Sequence, residues 1–92
     1  MEKYVFSKPY EFEGKTYEFV EFDLDSLKGS DISEVKKAFV ASGSYSPLPS
    51  TDSDFCALIL ARITKQPLEF YTEMPARDYC NLTQRVSNFL LT

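Results

Sequence analysis

The stretch EFEGKTYEFVEFDL, residues 11–24, decides how the amino-terminal part of this 92-residue chain is read. Side chains alternate between the two faces of a strand. Tyr17 and Phe19 fall on one parity, and Val20, Phe22 and Leu24 on the other. The apolar set therefore changes face between Phe19 and Val20. Three arrangements satisfy that pattern: a strand buried on both sides, a bulge near Phe19-Val20 that re-aims the side chains, or a strand that keeps one face for a partner. Glu13-Gly14 is the expected hairpin tip, because glycine supplies a backbone angle that other residues avoid. The long strand then runs over 16–24.

Upstream, KYVFS at 3–7 alternates and is rich in aromatic and β-branched residues, which predicts another strand. Pro9 has no N–H to donate and interrupts its ladder. Half of the aromatic residues lie in the first 22 positions. A sheet of two or three strands is unstable alone and needs a helix against one face.

Downstream the period changes to that of helices. Asp31 followed by Glu34 fits a capping box, with Asp31 as cap, and opens a helix over 31–42. Ile32, Val35 and Phe39 line its inner face and Gly43 stops it. Residues 43–50 form a loop rich in Ser and Pro. Thr51 with Asp54 suggests the cap of a second helix, 52–65, which is apolar nearly all round from Phe55 to Ala61 and is expected to be the central one. Pro67 breaks it. LEFYTEM fits either a short helical turn or an extended link, and the helical turn is favoured. Pro75, at a first helical position, opens a last helix over 75–91 with a stripe of Tyr79, Leu82, Val86, Phe89 and Leu90. The expected fold is α+β: an antiparallel β-hairpin or three-stranded sheet over 1–24, packed on a bundle of about three helices in a single domain, 1–92.

Composition narrows the function. The formal charge is −4, which argues against phosphate-based binding of nucleic acid. The charge is uneven: residues 1–34 carry nine acids against four lysines, while 35–92 are close to neutral. Solvated strand faces account for this, or else a docking surface for a basic partner. Cys56 and Cys80 both lie in apolar helical patterns and read as two buried, reduced thiols. The first residues lack a basic region followed by an apolar run, and no apolar stretch approaches the roughly 20 residues of a membrane span. The expected location is the cytoplasm.

The catalytic inventory is poor. The chain has no histidine, so the commonest proton shuttle near neutral pH is absent and no nucleophile–histidine–acid set can be built. A zinc site would have to draw on carboxylates. The three glycines stand alone and make no phosphate loop. Glu18 and Glu21 read as solvated carboxylates, not as an acid/base pair. No enzyme activity, cofactor or metal is expected.

Two longer runs carry a resemblance. YVFSKPYEFEGKTYEFVEFDLDSLKGSDI has a strand, a proline, a glycine turn, a strand, a short loop and an acidic helix start. FCALILARITKQPLEFYTEMPARDYCNLTQRVSNFL has an apolar helix with an Ala-Arg pair, a proline break, a short turn, an acidic residue and a last helix ending in Phe-Leu. In this order and spacing the chain resembles the phage tail assembly chaperones encoded just upstream of the tape measure protein. The matching positions are Pro9, Gly14, Tyr17, Ala61, Arg62, Pro67, Asp78, Phe89 and Leu90. TKQP departs from the pattern, because the family tends to place a glycine before its proline. The resemblance implies a non-enzymatic chaperone of the bacterial host's cytoplasm. It would coat the apolar, helical tape measure protein and recruit tail tube subunits.

Such a holdase needs apolar surface it can expose without precipitating. Acids beside aromatic rings provide one, since like charges keep the free protein apart while the rings bind apolar faces. Tyr17, Glu18, Phe19, Glu21 and Phe22 are the candidate contacts on the strand. Asp78, in the first turn of the last helix, suits either the positive pole of that helix or a contact with a partner. The strand edge at 3–7 invites self-pairing into a homo-oligomer. Alternative readings are a structural tail or connector component of the virion, and a small acidic inhibitor.

Overall fold

The structure of the chain, a computed structural model, describes residues 2–41, 43 and 52–91. The Thr51 cap and the Ser/Pro loop, apart from Gly43, lie outside the described residues. The fold is α+β. Two antiparallel strands, β1 (Glu2–Phe12) and β2 (Lys15–Phe22), are followed by a 3-10 turn at Leu24–Ser26. Among the described residues four helices follow: α1 (Gly29–Ala41), α2 (Ser53–Thr64), the short α3 (Leu68–Thr72) and α4 (Ala76–Leu91).

The hairpin turns at Glu13-Gly14, and both residues take positive φ (50° and 80°), the combination of a type I′ turn. The strand at 3–7 and the hairpin arm are one element, β1. Tyr10, Glu11 and Phe12 pair with Tyr17, Thr16 and Lys15, and Glu2 to Val5 pair with Phe22 to Phe19. Between those two blocks, Phe6 to Pro9 stand opposite Glu18 alone. The three extra residues, an odd number, flip the parity of β2 relative to β1. Tyr17 therefore faces inward opposite Tyr10, and Val20 faces inward opposite Tyr4. The bulge expected near Phe19-Val20 belongs instead to β1. Pro9 explains the choice of strand, because a residue without an N–H fits best where the ladder is already broken.

α2 packs against α1, α3, α4 and β2. Phe55, Cys56, Ala57, Ile59 and Leu60 are all buried in it, as its all-round apolar pattern requires. Its cap is Asp52, one residue after the expected Thr51: the carboxylate accepts from the amides of Asp54 (2.9 Å) and Phe55 (3.4 Å). It ends at Lys65, which adopts the left-handed conformation (φ 57°, ψ 36°) that more often falls to glycine. α1 begins two residues before the expected start. Asp31 is accordingly not the cap; its Oδ2 reaches back to the Lys28 amide (2.9 Å), the return half of a capping box. Its Oδ1 accepts from Arg62 Nε at 2.9 Å, which ties the head of α1 to the tail of α2.

The Lys28 amide first, and then the Arg62 guanidinium, hold the Asp31 carboxyl below its ordinary value of 3.8. A carboxyl depressed by folding contributes stability above its unfolded pKa and loses it as pH falls through the folded one. The expected outcome is a carboxyl titration by NMR with a midpoint below 3.8, which Arg62→Gln moves upward.

α3 resolves the ambiguity of LEFYTEM in favour of a short helix. The Pro67 carbonyl accepts from the Phe70 amide at 3.0 Å. Phe70, fully buried, stands among the rings of Tyr10, Phe12, Tyr17 and Tyr71, with centroids 4.9–5.3 Å away. Tyr10 also donates to the Phe70 carbonyl at 2.8 Å. The hairpin thus closes over α3 through aromatic packing.

In α4, Leu82 and Val86 are buried, Tyr79 and Leu90 are partly so, and Phe89 stays partly exposed. Pro75 sits one residue before the helix instead of at its first position, and its carbonyl accepts from Tyr79. The two thiols differ. Burial pushes Cys56 up to about 11, whereas Cys80, expected inside, is exposed. Two positions from both Asp78 and Leu82, which are buried, it falls on the opposite side of α4.

Candidate protein-docking face

Cross-strand pairing sets the outer face of the hairpin. Lys3 and Glu21, Val5 and Phe19, and Glu11 and Thr16 pair on the side away from the helices, and all six are exposed. Val5 (63% exposed) and Phe19 (41%) form an apolar pair at its centre. The Lys3 ammonium lies 4.3 Å from the Phe19 ring centroid, a cation–π contact. Glu18 and Glu21 flank Phe19 on β2 and are exposed.

The sequence candidates divide on this geometry. Glu18, Phe19 and Glu21 are at the surface together. Phe22 is not: it is 2% exposed and belongs to the core, on the inward parity of β2. Tyr17 is half-buried against Phe70. Val5 belongs to the face and was missed, because parity within KYVFS does not say which side is inside until the partner strand is placed.

Asp78 is also withdrawn from the surface. It is fully buried and accepts from Tyr4 Oη (2.6 Å), the Ser7 amide (3.2 Å) and Ser7 Oγ (3.3 Å). The carboxylate fastens β1 to α4 and has no side free for another protein. Burial, and then the hydrogen bond to Asp78, raise the Tyr4 hydroxyl above its ordinary value of 10.0. One turn on, Asn81 Nδ2 approaches Tyr4 Oη at 3.3 Å. Arg85 donates to the Lys3 carbonyl at 3.2 Å, and its guanidinium lies 5.3 Å from the Tyr4 centroid. Positions 78, 81 and 85 share one face of a helix. That spacing was visible in the sequence and marks the stripe of α4 that grips β1. The edge at 3–7, expected to invite self-pairing, is tied to α4 at Ser7 and Lys3.

A concavity of about 300 Å³ lies between the start of α2 and the turn from α3 into α4, lined by Asp54, Thr72, Met74, Ala76 and Tyr79. Tyr79 Oη donates to Asp54 Oδ1 at 2.7 Å, so the one carboxylate there is already engaged. Burial, and then that bond, raise the Tyr79 hydroxyl. Among the described residues no group of His, Cys, Asp and Glu is disposed to hold a metal ion, and no helix is long and apolar enough to cross a membrane. No family model, curated protein or solved structure matches the chain.

The outer face makes a sharp prediction. Phe19→Asp is expected to stay folded, with a loss within about 1 kcal/mol, as for surface changes generally. Phe22→Asp buries an unpaired charge and is expected to cost more than about 4 kcal/mol. Urea titrations followed by circular dichroism separate the two. Equal losses would mean that Phe19 is a core residue.

Proposed function

We propose that this chain is a non-enzymatic protein-binding module that works as a phage tail assembly chaperone: it holds the tape measure protein soluble and brings tail tube subunits to it. The observation that carries the reading is the outer face of the hairpin, where Val5 and Phe19 are held exposed by a fixed sheet and bordered by Glu18 and Glu21. An exposed apolar pair with acids beside it binds apolar protein surface while like charges keep the free molecules apart. The resemblance in the order and spacing of the elements supplies the identity of the partners. The site of action is the cytoplasm of the bacterial host.

Co-expression with the long helical protein encoded downstream tests this. The expected result is that the downstream protein becomes soluble and co-purifies with this chain, and that Phe19→Asp abolishes the effect while the variant remains folded. Failure of the two to co-purify, with the downstream protein still insoluble, would overturn the reading. So would recovery of this chain from purified particles by mass spectrometry, which is the result expected of a structural tail or connector component.

A further inference from the structure

The two edges of the hairpin are treated differently. Along β1, two backbone groups are occupied by α4: Asp78 takes the Ser7 N–H and Arg85 donates to the Lys3 carbonyl. Along β2 nothing equivalent happens among the described residues; no hydrogen bond from outside the hairpin reaches Lys15–Phe22. Alternate residues of a strand with one neighbour turn their N–H and C=O groups outward, and such an edge is a template for another strand.

We propose that the outer edge of β2, around Glu18–Glu21, accepts a third strand from another protein: an extended segment in which Lys or Arg alternates with apolar residues. The proposal deepens the protein-binding reading above and rests on it. Three observations select this occupant. Glu18 and Glu21 are exposed and make no ion pair among the described residues. Asp23 and Asp25 continue the run, so that Lys15 is the single base among residues 15–25. Docking of β2 on the β2 of a second copy would bring these carboxylates together, and like charges across a pair of strands are destabilising. A two-stranded sheet is also the smallest possible, and strand addition by an extended segment is a standard way of completing one. Phe19, on the same outer face as Glu21, offers its ring to the aliphatic stem and ammonium of an incoming lysine.

The test uses the full ¹⁵N-labelled chain and the peptide acetyl-Lys-Val-Thr-Val-Lys-Val-Thr-Lys-amide. Binding is expected to shift amide signals concentrated over residues 16–21 and to slow their exchange with solvent. N-methylation of alternate peptide amides, which removes the donors facing β2, is expected to weaken binding by on the order of tenfold or more. The double variant Glu18→Lys, Glu21→Lys, with unchanged circular dichroism, is expected to weaken it by a similar factor, and a peptide with Glu in place of Lys is expected not to bind. Shifts confined to α4 or to the Val5 side, or equal binding of the N-methylated peptide, would overturn strand addition. Concentration-dependent shifts of the β2 amides without peptide would also overturn it, because they assign the edge to a second copy. Solubilisation of the downstream protein without any effect of the peptide removes the strand mode alone. Peptide binding without that solubilisation removes the tail assembly reading and leaves the edge site standing.

Discussion

Phe70→Ala is expected to destabilise the chain by about 4–5 kcal/mol, the upper end of the range for truncating a buried aromatic side chain. Phe70 has no exposed surface and meets four other rings, three of them (Tyr10, Phe12 and Tyr17) from the hairpin. Each edge-on ring pair adds to the area lost from water. A five-residue helix has almost no stability of its own, since nucleating a turn is unfavourable; α3 exists because Phe70 and Tyr71 are buried. Tyr71 closes the other side. Thr64 Oγ1 donates to the Leu60 carbonyl and is left to accept from Tyr71 Oη, at 2.6 Å in each case. A domain of this size has total stability of roughly 5–14 kcal/mol, so loss of Phe70 is expected to remove from about a third to nearly all of it and to lower the midpoint of urea unfolding in the same proportion. Phe70→Leu, which keeps most of the volume, is expected to recover about half of the loss. A loss below about 2 kcal/mol for Phe70→Ala would show that the hairpin is held mainly elsewhere.

Elsewhere means Asp78, and the second large effect is expected there. Asp78→Ala removes an acceptor from three donors, one of which, Tyr4 Oη, is buried with it. Hydrogen bonds to a charged group are worth about 1.5–3 kcal/mol each, and the donors left behind in a buried site carry their own penalty. A loss of about 3 kcal/mol is expected. Asp78→Asn keeps the shape and one acceptor but presents an amide donor to at least one of the remaining donors, so an intermediate loss of about 1–2 kcal/mol is expected. A carboxylate acting only on the positive pole of α4 would yield about 0.3–1 kcal/mol. Hydrogen exchange adds the direction: in Asp78→Ala the amides of β1 are expected to lose protection before those of α2, because the variant releases the hairpin from α4 and leaves the central helix packed. Uniform loss of protection across the chain would instead make hairpin and helices one cooperative unit.

Local signals were enough for much of this architecture. The glycine turn, the prolines at 9, 67 and 75, the change from a period of two to a helical period, and the apolar girth of residues 55–61 each act within a few residues, and each lies near its expected place. The errors share a cause. The helix caps slipped by one to three residues because several Asp, Ser and Thr residues compete at each start, and only the path of the incoming chain selects Lys28 and Asp52. Cys80 sits within the run of the Tyr79–Leu82 stripe, which suggests burial, yet burial depends on which arc of the helix meets α2. Tyr17, Phe22 and Asp78 are candidate contacts by sequence because their types and local spacing suit a docking ribbon as well as they suit a core.

The sequence by itself determined that the apolar set of β2 changes parity between Phe19 and Val20, since alternation along a strand is a property of its own backbone; it left a strand buried on both sides, a bulge and a partner face as equal ways of satisfying that pattern. Only the tertiary structure decided how. Three surplus residues sit in β1 opposite Glu18, far away in sequence from the switch they cause, and they turn Phe19 out while Val20 and Phe22 turn in. Register is a relation between two strands, and burial is a relation between a sheet and the helices on it. Neither is written in the order of residues along one strand. The same holds for Asp78, a helix-start acid by its position and a buried clasp only once β1 is laid against α4.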